Sequence, residues 1–472
     1  MKVAFHTLGC KVNQYETEAI SEKFRQKGCE IVGEREFADV YIINTCTVTS
    51  VADRKSRQYI RKMKKLNPDS IVAVTGCYAQ IKPEEVSAVE GVDIVAGTNE
   101  KSRLAEYVEE FMRDGLRQIH IKGYEELDSY DDTGFITSTE NRTRAYIKIQ
   151  EGCNRFCTYC VIPYARGKVR SRPLEEIIRE ARQLVDAGYR EIVLTGINTA
   201  LYDMENGARI RACGADTESD SSKRADADST ECSETGGELY GIEKIIARLE
   251  EMPGDFRVRL SSLEPAVVNA DYVKRLLKYK RLCHHLHLSA QSGSDSVLKD
   301  MNRPYDRAEY LEIVRVLREF DPLYGISTDI IVGFPGEKEK DFDDSCSLVR
   351  ECGFCRTHIF KYSKRPFTKA AEMKGHVAPQ VKNRRSETLH KVGNDAALQF
   401  FAQNKGHEAV VLAEEIYEEK MLVTGYTGNY IKVYIKCADI REAEKLLNTF
   451  VNVRLTDVFE DGMSAELISP ES

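Results

Sequence analysis

The sequence predicts an α/β protein with three folded parts: an N-terminal open parallel α/β sheet, a central partial (β/α)6 barrel and a small C-terminal OB-like β-barrel. Two observations predict this class. Strand-type and helical patterns alternate through the first and central parts, as in βαβ units of a parallel sheet. The last part instead contains short β runs, as small barrels do. At 472 residues the chain is also too long for a single core.

Four short apolar runs of strand type predict the N-terminal sheet, at residues 2–8, 39–44, 70–75 and 92–96. Helical patterns lie between them, for example at 15–27 and 52–66. We assign residues 1–112 to this domain. The polar residues 113–140 are predicted to be a linker.

Six βα units predict the central domain, residues 141–370, with strands at 145–150, 191–195, 257–261, 285–289, 327–332 and 357–362. Six such units indicate an incomplete relative of the eight-unit barrel. Residues 205–238 interrupt them with nine acidic and four basic residues and few large apolar ones. This composition predicts a mobile acidic insertion without a catalytic role, whose Cys213 and Cys232 are incidental.

A connecting helix over 371–402 is predicted to lead into residues 403–470. Five β runs there fit a small barrel, at 408–413, 421–426, 430–435, 450–455 and 464–468. Barrels of this size commonly bind oligonucleotides. A β cap that only stabilises the chain is the alternative that these residues leave open.

Composition narrows the class of protein. The chain has no apolar run of the roughly 20 residues that span a bilayer and no secretory-signal layout at its start, so we expect a cytoplasmic protein with no membrane partner. Its 14 cysteines then favour metal or cluster ligation over disulfides. The net charge of −8 argues only weakly against nucleic acid, because residues 205–238 contribute −5 of it.

One loop carries cysteines in a C-x3-C-x2-C spacing, Cys153, Cys157 and Cys160. Three thiolates hold three irons of a [4Fe–4S] cube and leave the fourth iron open for a cofactor. The loop follows the first barrel strand, where reactive groups of βα barrels gather. A structural zinc site is the alternative, but no fourth ligand lies close in sequence.

Cys10, Cys46 and Cys77 are widely separated in sequence, yet each follows a predicted strand of the N-terminal sheet. The carboxyl ends of parallel strands form one edge, where ligands bind. We therefore predict that these thiols converge and hold a second cluster with an open iron. Plain buried cysteines are the alternative.

The C-x3-C-x2-C loop and the following strand ends resemble the radical SAM superfamily. The resemblance implies that S-adenosylmethionine (SAM) binds the open iron and is cleaved to a radical. It also implies that SAM is held at the strand ends and beside the third cysteine. The candidate contacts are Tyr159, Gly196, Asn198, Ser262, Glu264, Ser289, Gln291, Val332 and Gly333.

From end to end the chain resembles the methylthiotransferase family. Residues 7–16, 44–49 and 53–58 look most like the branch acting on N6-threonylcarbamoyladenosine at position 37 of tRNA. The resemblance implies a radical SAM barrel, a C-terminal barrel of the TRAM type, and two [4Fe–4S] clusters on six catalytic cysteines. It also implies SAM as methyl donor and radical source, and 2-methylthio-N6-threonylcarbamoyladenosine as product. The implied partners are tRNA, a sulfur donor and a one-electron reductant such as flavodoxin or ferredoxin.

Other functions stay open at this point. A sister activity on isopentenyladenosine or on a ribosomal protein side chain uses the same chemistry. A zinc-stabilised RNA-binding protein without enzymatic activity belongs to a different class. The insertion at 205–238 departs from the family, as does Phe367, which stands where the family usually has glycine. A backbone with positive φ there would be strained by a bulky residue.

Two groups of residues are candidate RNA contacts. A basic run follows the cysteine loop at once, with Arg166, Lys168, Arg170 and Arg172. Four cations beside a reactive site suit phosphates, although a solvated charged run is the alternative. In the C-terminal barrel, Tyr426 and Tyr430 are candidates for stacking on unpaired bases.

Overall fold

The computed structural model describes residues 1–128, 130–131, 133–134, 143–204 and 239–468. The predicted insertion at 205–238, with its two cysteines, lies outside the described residues, as do residues 135–142, which include the end of the predicted linker. The described part contains all three predicted units, so the fold class is confirmed.

The first unit is a six-stranded sheet with only parallel neighbours. Its strands are β1 (Lys2–Thr7), β2 (Glu30–Val32), β3 (Val40–Thr45), β4 (Ile71–Gly76), β5 (Ile94–Ala96) and β6 (Gln118–His120). They lie in the order β2-β1-β3-β4-β5-β6. Every residue of β3 is buried, as expected for a central parallel strand covered on both faces. Strand β6 lies beyond residue 112, the predicted end of this domain. A strand of three residues is too short to show in the sequence pattern.

The second unit contains the six predicted strands and one short return strand. Its strands are β7 (Arg144–Glu151), β8 (Arg170–Ser171), β9 (Glu191–Gly196), β10 (Arg257–Leu260), β11 (His285–His287), β12 (Gly325–Val332) and β13 (Arg356–Lys361). They form the sheets β10-β9-β7-β8 and β11-β12-β13. Single bridges from Val258 to Leu282 and from Leu263 to Leu288 join the two sheets into one curved, incomplete barrel.

The third unit is a closed five-stranded barrel. Its strands are β14 (Glu408–Tyr417), β15 (Leu422–Thr427), β16 (Lys432–Lys436), β17 (Phe450–Phe459) and β18 (Gly462–Leu467). They close in the order β14-β15-β16-β18-β17. Arg259 on β10 donates hydrogen bonds to the carbonyls of Thr427 and Gly428, both at 3.1 Å, and so fixes this barrel against the central one.

Helices cover the first two units. Those of the N-terminal unit are α1 (Lys11–Gln26), α2 (Ser50–Leu66), α3 (Cys77–Ile81), α4 (Pro83–Ser87) and α5 (Leu104–Asp114). Those that follow are α6 (Ile162–Arg166), α7 (Leu174–Asp186), α8 (Glu243–Glu250), α9 (Ala270–Leu276), α10 (Asp295–Asp300), α11 (Arg307–Phe320), α12 (Glu339–Cys352), α13 (Lys369–Glu372), α14 (Pro379–Asn404) and α15 (Ile440–Leu446). Thr49 caps α2 by accepting from the amide of Ala52. None of the described helices has the length and apolar character needed to cross a bilayer.

Candidate active site

Cys10, Cys46 and Cys77 each lie directly past the carboxyl end of a strand. Cys10 precedes α1 after β1, Cys46 follows β3, and Cys77 begins α3 after β4. Because β1, β3 and β4 are adjacent and parallel, the three positions share one edge of the sheet. The described cysteines are all free thiols.

Two glycines allow these cysteine loops to approach one another. Gly9 has a φ of 115°, and a Cβ there would lie 2.8 Å from Cβ and 3.1 Å from Sγ of Cys46. Gly76 has a φ of 99°, and a Cβ there would lie 2.4 Å from the carbonyl oxygen of Thr45. Any larger residue would strain the backbone and push the loops apart. We call Cys10, Cys46 and Cys77 the N-terminal trio.

The surroundings of the N-terminal trio oppose ionisation of its thiols. Burial raises the pKa of Cys46 to about 12, and Cys77 and Cys10 beside it act in the same direction. Burial also raises the pKa of Cys10, against the opposite effect of Arg166. Thiolates are the metal-binding form, and a metal centre supplies the positive charge that deprotonates them. The donor set therefore fits a thiolate-bound metal centre, of which an iron–sulfur cluster is one kind.

Arg166 joins the N-terminal trio to the central barrel. Its Nε donates a hydrogen bond to Sγ of Cys77 at 3.2 Å, and one Nη donates to Glu151 at 2.7 Å. Other ion pairs and hydrogen bonds extend this buried network. Its further members are Asn13, Glu16, Lys101 and Lys148. A guanidinium aimed at a sulfur suits a site that carries negative charge on its thiolates.

Cys153, Cys157 and Cys160 lie on one loop between β7 and α6 and form the second, or loop, trio. The amide of Cys160 donates to the carbonyl of Cys157 at 2.9 Å, which turns the chain tightly. Burial raises the pKa of Cys153 to about 12. Burial also raises the pKa of Cys160, with Cys157 and then Cys153 adding to it. This trio, too, needs a positive centre to hold its thiolates.

Arg303 lies beside the loop trio. The sequence does not predict this contact. Its Nη1 lies 3.3 Å from Sγ of Cys157 and 3.2 Å from Oε1 of Glu264. Glu264 also accepts from Nδ2 of Asn198 at 2.6 Å, so two predicted SAM contacts meet beside the loop. Oδ1 of Asn198 is buried and has no hydrogen-bond partner among the described residues. It is thus an acceptor suited to an amine such as that of SAM.

Two adjoining cavities lie beside the trios. The loop cavity, of about 210 Å³, has Cys160 in its wall. The barrel cavity, of about 390 Å³, has Cys10 in its wall. Asp329 and Phe360 line both cavities, so Cys160 and Cys10, one cysteine of each trio, face neighbouring spaces inside the partial barrel.

The remaining predicted SAM contacts lie around these cavities. Those in the walls are Tyr159 and Gln291 in the loop cavity, and Gly196 and Ser262 in the barrel cavity. Ser289 donates to Asp329 at 3.0 Å. Val332 is buried at the end of β12, and Gly333 follows with its amide bound to Glu337. SAM binding by these residues stays a prediction.

Known families match the first two units. The uncharacterized protein family UPF0004 matches residues 2–97, and the radical SAM superfamily matches residues 147–349. The threonylcarbamoyladenosine tRNA methylthiotransferase MtaB of Bacillus subtilis (strain 168) is 38% identical over 484 residues, which cover 99% of this chain and 97% of the relative. The chain belongs to the radical SAM methylthiotransferase family. The MtaB of Aquifex aeolicus (strain VF5) is 37% identical over 96% of this methylthiotransferase and 100% of the relative.

This methylthiotransferase is also similar to proteins with other names. The tRNA-2-methylthio-N(6)-dimethylallyladenosine synthase of Carboxydothermus hydrogenoformans is 32% identical, over 96% of each chain. Among solved structures, the radical S-adenosylmethionine methyltransferase TsrM from Kitasatospora setae, with cobalamin and a [4Fe-4S] cluster bound, superposes with a TM-score of 0.55 and 14% identity. That match covers 78% of this chain and 77% of TsrM and shows a shared fold.

Arg166, Arg170 and Arg172 do not form the phosphate-binding surface that the sequence predicts. They are only 0%, 4% and 1% exposed. Arg172 pairs with buried Glu180, and Arg170 donates to the carbonyl of Arg166 at 2.7 Å. The prediction was wrong because spacing in sequence does not show which cations neutralise buried carboxylates. Lys168 has a side chain 48% exposed and stays a predicted RNA contact.

Tyr426 and Tyr430 lie where the small barrel meets the central one. Their rings stack 5.1 Å apart, and the ring of Tyr430 also stacks on His285 at 4.5 Å. Arg259 lies 4.8 Å from the centre of the Tyr430 ring. Tyr430 lines the barrel cavity and so faces the space beside Cys10. Stacking on an RNA base stays a prediction for both tyrosines.

Phe367, which stands where the family usually has glycine, has a positive φ of 62°. Its side chain is 65% exposed, and its ring lies 5.9 Å from that of Tyr164. A left-handed backbone costs an L-residue about 1–2 kcal/mol. Little burial offsets this cost at Phe367.

We therefore expect Phe367→Gly to stabilise the protein by about 0.5–1 kcal/mol, because glycine removes the strain but adds unfolded-state entropy. Thermal unfolding of the anaerobically purified protein measures the shift. Phe367→Ala is the matched control, since it removes the ring and keeps the strained Cβ. If both variants lower Tm equally, the contact with Tyr164 outweighs the strain.

Proposed function

We propose that this enzyme transfers a methylthio group to carbon 2 of N6-threonylcarbamoyladenosine at position 37 of tRNA, giving 2-methylthio-N6-threonylcarbamoyladenosine. The observation that carries this proposal is the pair of thiol trios, each of which places one cysteine in the wall of one of two adjoining cavities. Carbon 2 of a purine is neither acidic nor electrophilic, so sulfur insertion needs one site that activates the carbon and a second that delivers sulfur. The names of the relatives at 37% and 38% identity support the choice of nucleoside.

We propose two [4Fe–4S] clusters, one on each trio, together with SAM. Each trio supplies three thiolates and leaves one iron of a four-iron cube open. Within the described ranges, no group of three His, Cys, Asp or Glu side chains is arranged around a single metal ion. A cube binds each thiolate at a different iron, so its ligands stand farther apart than those of one zinc ion. When bound, these groups supply radical chemistry and sulfur delivery.

The chain's own residues hold and orient these groups. Arg166 and Arg303 each donate a hydrogen bond to one thiol trio and so stabilise its negative charge. Asn198 and Glu264 supply the acceptors for the amine of SAM.

The proposed reaction implies partners. We propose tRNA as substrate, held in part by a C-terminal barrel of the TRAM type, and an external sulfur donor. A one-electron reductant such as flavodoxin or ferredoxin serves the loop cluster. Because tRNA is the proposed substrate, we propose that the enzyme works in the cytoplasm.

Family membership disfavours the alternative functions. This chain contains a radical SAM domain, which a zinc-stabilised RNA-binding protein without enzymatic activity does not need. Isopentenyladenosine as substrate is not favoured, since the relative named for dimethylallyladenosine is 32% identical, against 38% and 37% for those named for threonylcarbamoyladenosine.

Mass analysis of tRNA nucleosides tests the proposal. We expect tRNA containing N6-threonylcarbamoyladenosine to gain the mass of one methylthio group after anaerobic turnover with SAM, a sulfide source and a reductant. Cys157→Ala serves as the inactive control. Zinc without iron in the purified protein, or a mass gain on isopentenyladenosine alone, would overturn the proposed function.

A further inference from the structure

The barrel cavity is lined by alternate residues of three neighbouring strands. His285 and His287 lie on β11, Ser327 and Asp329 on β12, and Arg356 and His358 on β13. Alternate residues of a strand face one side, so these side chains form the inner wall of the barrel. Lys11, the first residue of α1, enters the same cavity beside Cys10. The cavity therefore carries an unusual number of basic groups next to a proposed sulfur-handling cluster.

Two of these cations have no carboxylate partner. Neither Lys11 nor Arg356 forms an ion pair within the described ranges of the chain. Arg259, the third cation in the wall, is occupied: its Nε donates to Glu191 at 2.9 Å. Asp329 is the single carboxylate among the residues in this wall, and it already accepts from His287 at 3.1 Å. The wall thus has a surplus of positive charge.

Polar groups complete the lining. The hydroxyl of Ser261 is buried without a hydrogen-bond partner among the described residues, and so is Nδ1 of His285. Burial lowers the pKa of His285 and of His358, and both rings bring hydrogen-bonding nitrogens to the cavity wall. Lys11 and Arg356 are half-buried, and a ligand that removes their remaining water without supplying an anion makes them costly. A cavity with this lining suits a small group that combines negative charge with hydroxyls.

We propose that Lys11 and Arg356 bind the carboxylate of the threonyl group on the substrate nucleoside. This inference rests on the proposed function. The threonyl group has one carboxylate and one hydroxyl, matching the two cations and the polar wall. In adenine, carbon 2 and the carbon bearing N6 flank the same ring nitrogen, so a substituent on N6 lies along the edge that carries carbon 2. Binding the carboxylate beside Cys10 therefore brings carbon 2 toward the proposed sulfur site.

The same residues disfavour an apolar substituent. A dimethylallyl group placed against Lys11 and Arg356 would remove water from two cations and supply no charge in return. Rejection through unpaired buried charge is a general way to obtain specificity. Lys11 and Arg356 are thus specificity-determining residues for the anionic nucleoside.

Binding measurements on the anaerobic holoenzyme without reductant test this proposal. The ligands are anticodon stem-loop RNAs that differ only at position 37, carrying N6-threonylcarbamoyladenosine, unmodified adenosine or dimethylallyladenosine. We expect the wild type to bind the first RNA about tenfold more tightly than the other two. Lys11→Met and Arg356→Gln should each remove most of this preference, while Lys11→Arg retains it. Lys340→Met, in an exposed position on α12, is the matched control and should change nothing.

Several outcomes would overturn the proposal. The first is that Lys11→Met and Arg356→Gln both keep the wild-type preference for the RNA that carries N6-threonylcarbamoyladenosine. An equal loss of affinity for all three RNAs would mean that the cations bind backbone phosphate, and a loss of SAM affinity with the preference intact would mean that they bind SAM. Iron content, measured in each variant, shows whether Lys11→Met has disturbed the cluster beside it, and Arg356→Gln on β13 provides the test in that case. If the wild type forms no methylthio product on N6-threonylcarbamoyladenosine, the proposed function itself fails; if product forms but the preference survives in both variants, only this inference fails.

Discussion

Cys157→Ala is expected to abolish reductive cleavage of SAM, whereas Cys46→Ala should leave cleavage intact and stop methylthiolation. The reason is the division between the two trios. Cys157 lies on the loop beside Arg303, Glu264 and Asn198, where SAM is proposed to bind. Cys46 lies on the edge of the N-terminal sheet, beside the cavity wall that holds Cys10.

The measurements are 5′-deoxyadenosine release, methylthiolated nucleoside and iron content in the same preparations. The wild type should hold about eight irons per chain and each variant about four. Cys29→Ala is the matched control, because this cysteine lies before β2 and away from both trios. Full product formation by both active-site variants, or loss of SAM cleavage in Cys46→Ala, would contradict the division of labour.

The sequence predicts the N-terminal trio because the ends of parallel strands alone bring its cysteines together. Cys10, Cys46 and Cys77 follow adjacent parallel strands, and parallel strands share one carboxyl edge. No knowledge of side-chain packing enters that inference. The strained φ at Phe367 was predictable too, because it concerns the backbone of one residue, at a position where the family usually has glycine.

Burial and pairing, in contrast, depend on contacts distant in sequence. Arg166 lies six residues after Cys160 and reads as part of a surface run, yet it meets Glu16 across 150 residues. Arg303 reaches Cys157 from 146 residues away. Lys11 directly follows Cys10, but its place in the barrel cavity depends on how the N-terminal unit meets the barrel. Contacts between residues far apart in sequence, within a unit or between units, are the ones that sequence patterns miss.

The second large effect is expected for Arg166→Met. Arg166 is fully buried and neutralises Glu16 and Glu151, so its removal leaves buried carboxylates short of a partner. Breaking a buried ion pair in this way costs about 3–5 kcal/mol. We expect Tm to fall by about 10 °C. Lys168→Met, two residues along, is the matched control, because its half-exposed pair with Glu125 contributes less than about 1 kcal/mol.

The pH dependence of stability gives Arg166→Met a second readout. Burial alone would raise the pKa of Glu16, but Arg166, Lys101 and Lys148 together lower it well below its usual value. A carboxyl whose folded pKa is depressed stabilises the protein above its unfolded pKa and loses that contribution as pH falls. In the variant the folded pKa of Glu16 moves back toward its unfolded value, so less stability is lost as pH falls, and the difference in Tm between the wild type and the variant should narrow in acid. An unchanged Tm together with weaker tRNA binding would instead show that Arg166 contacts RNA, which its burial between Cys77 and Glu151 argues against.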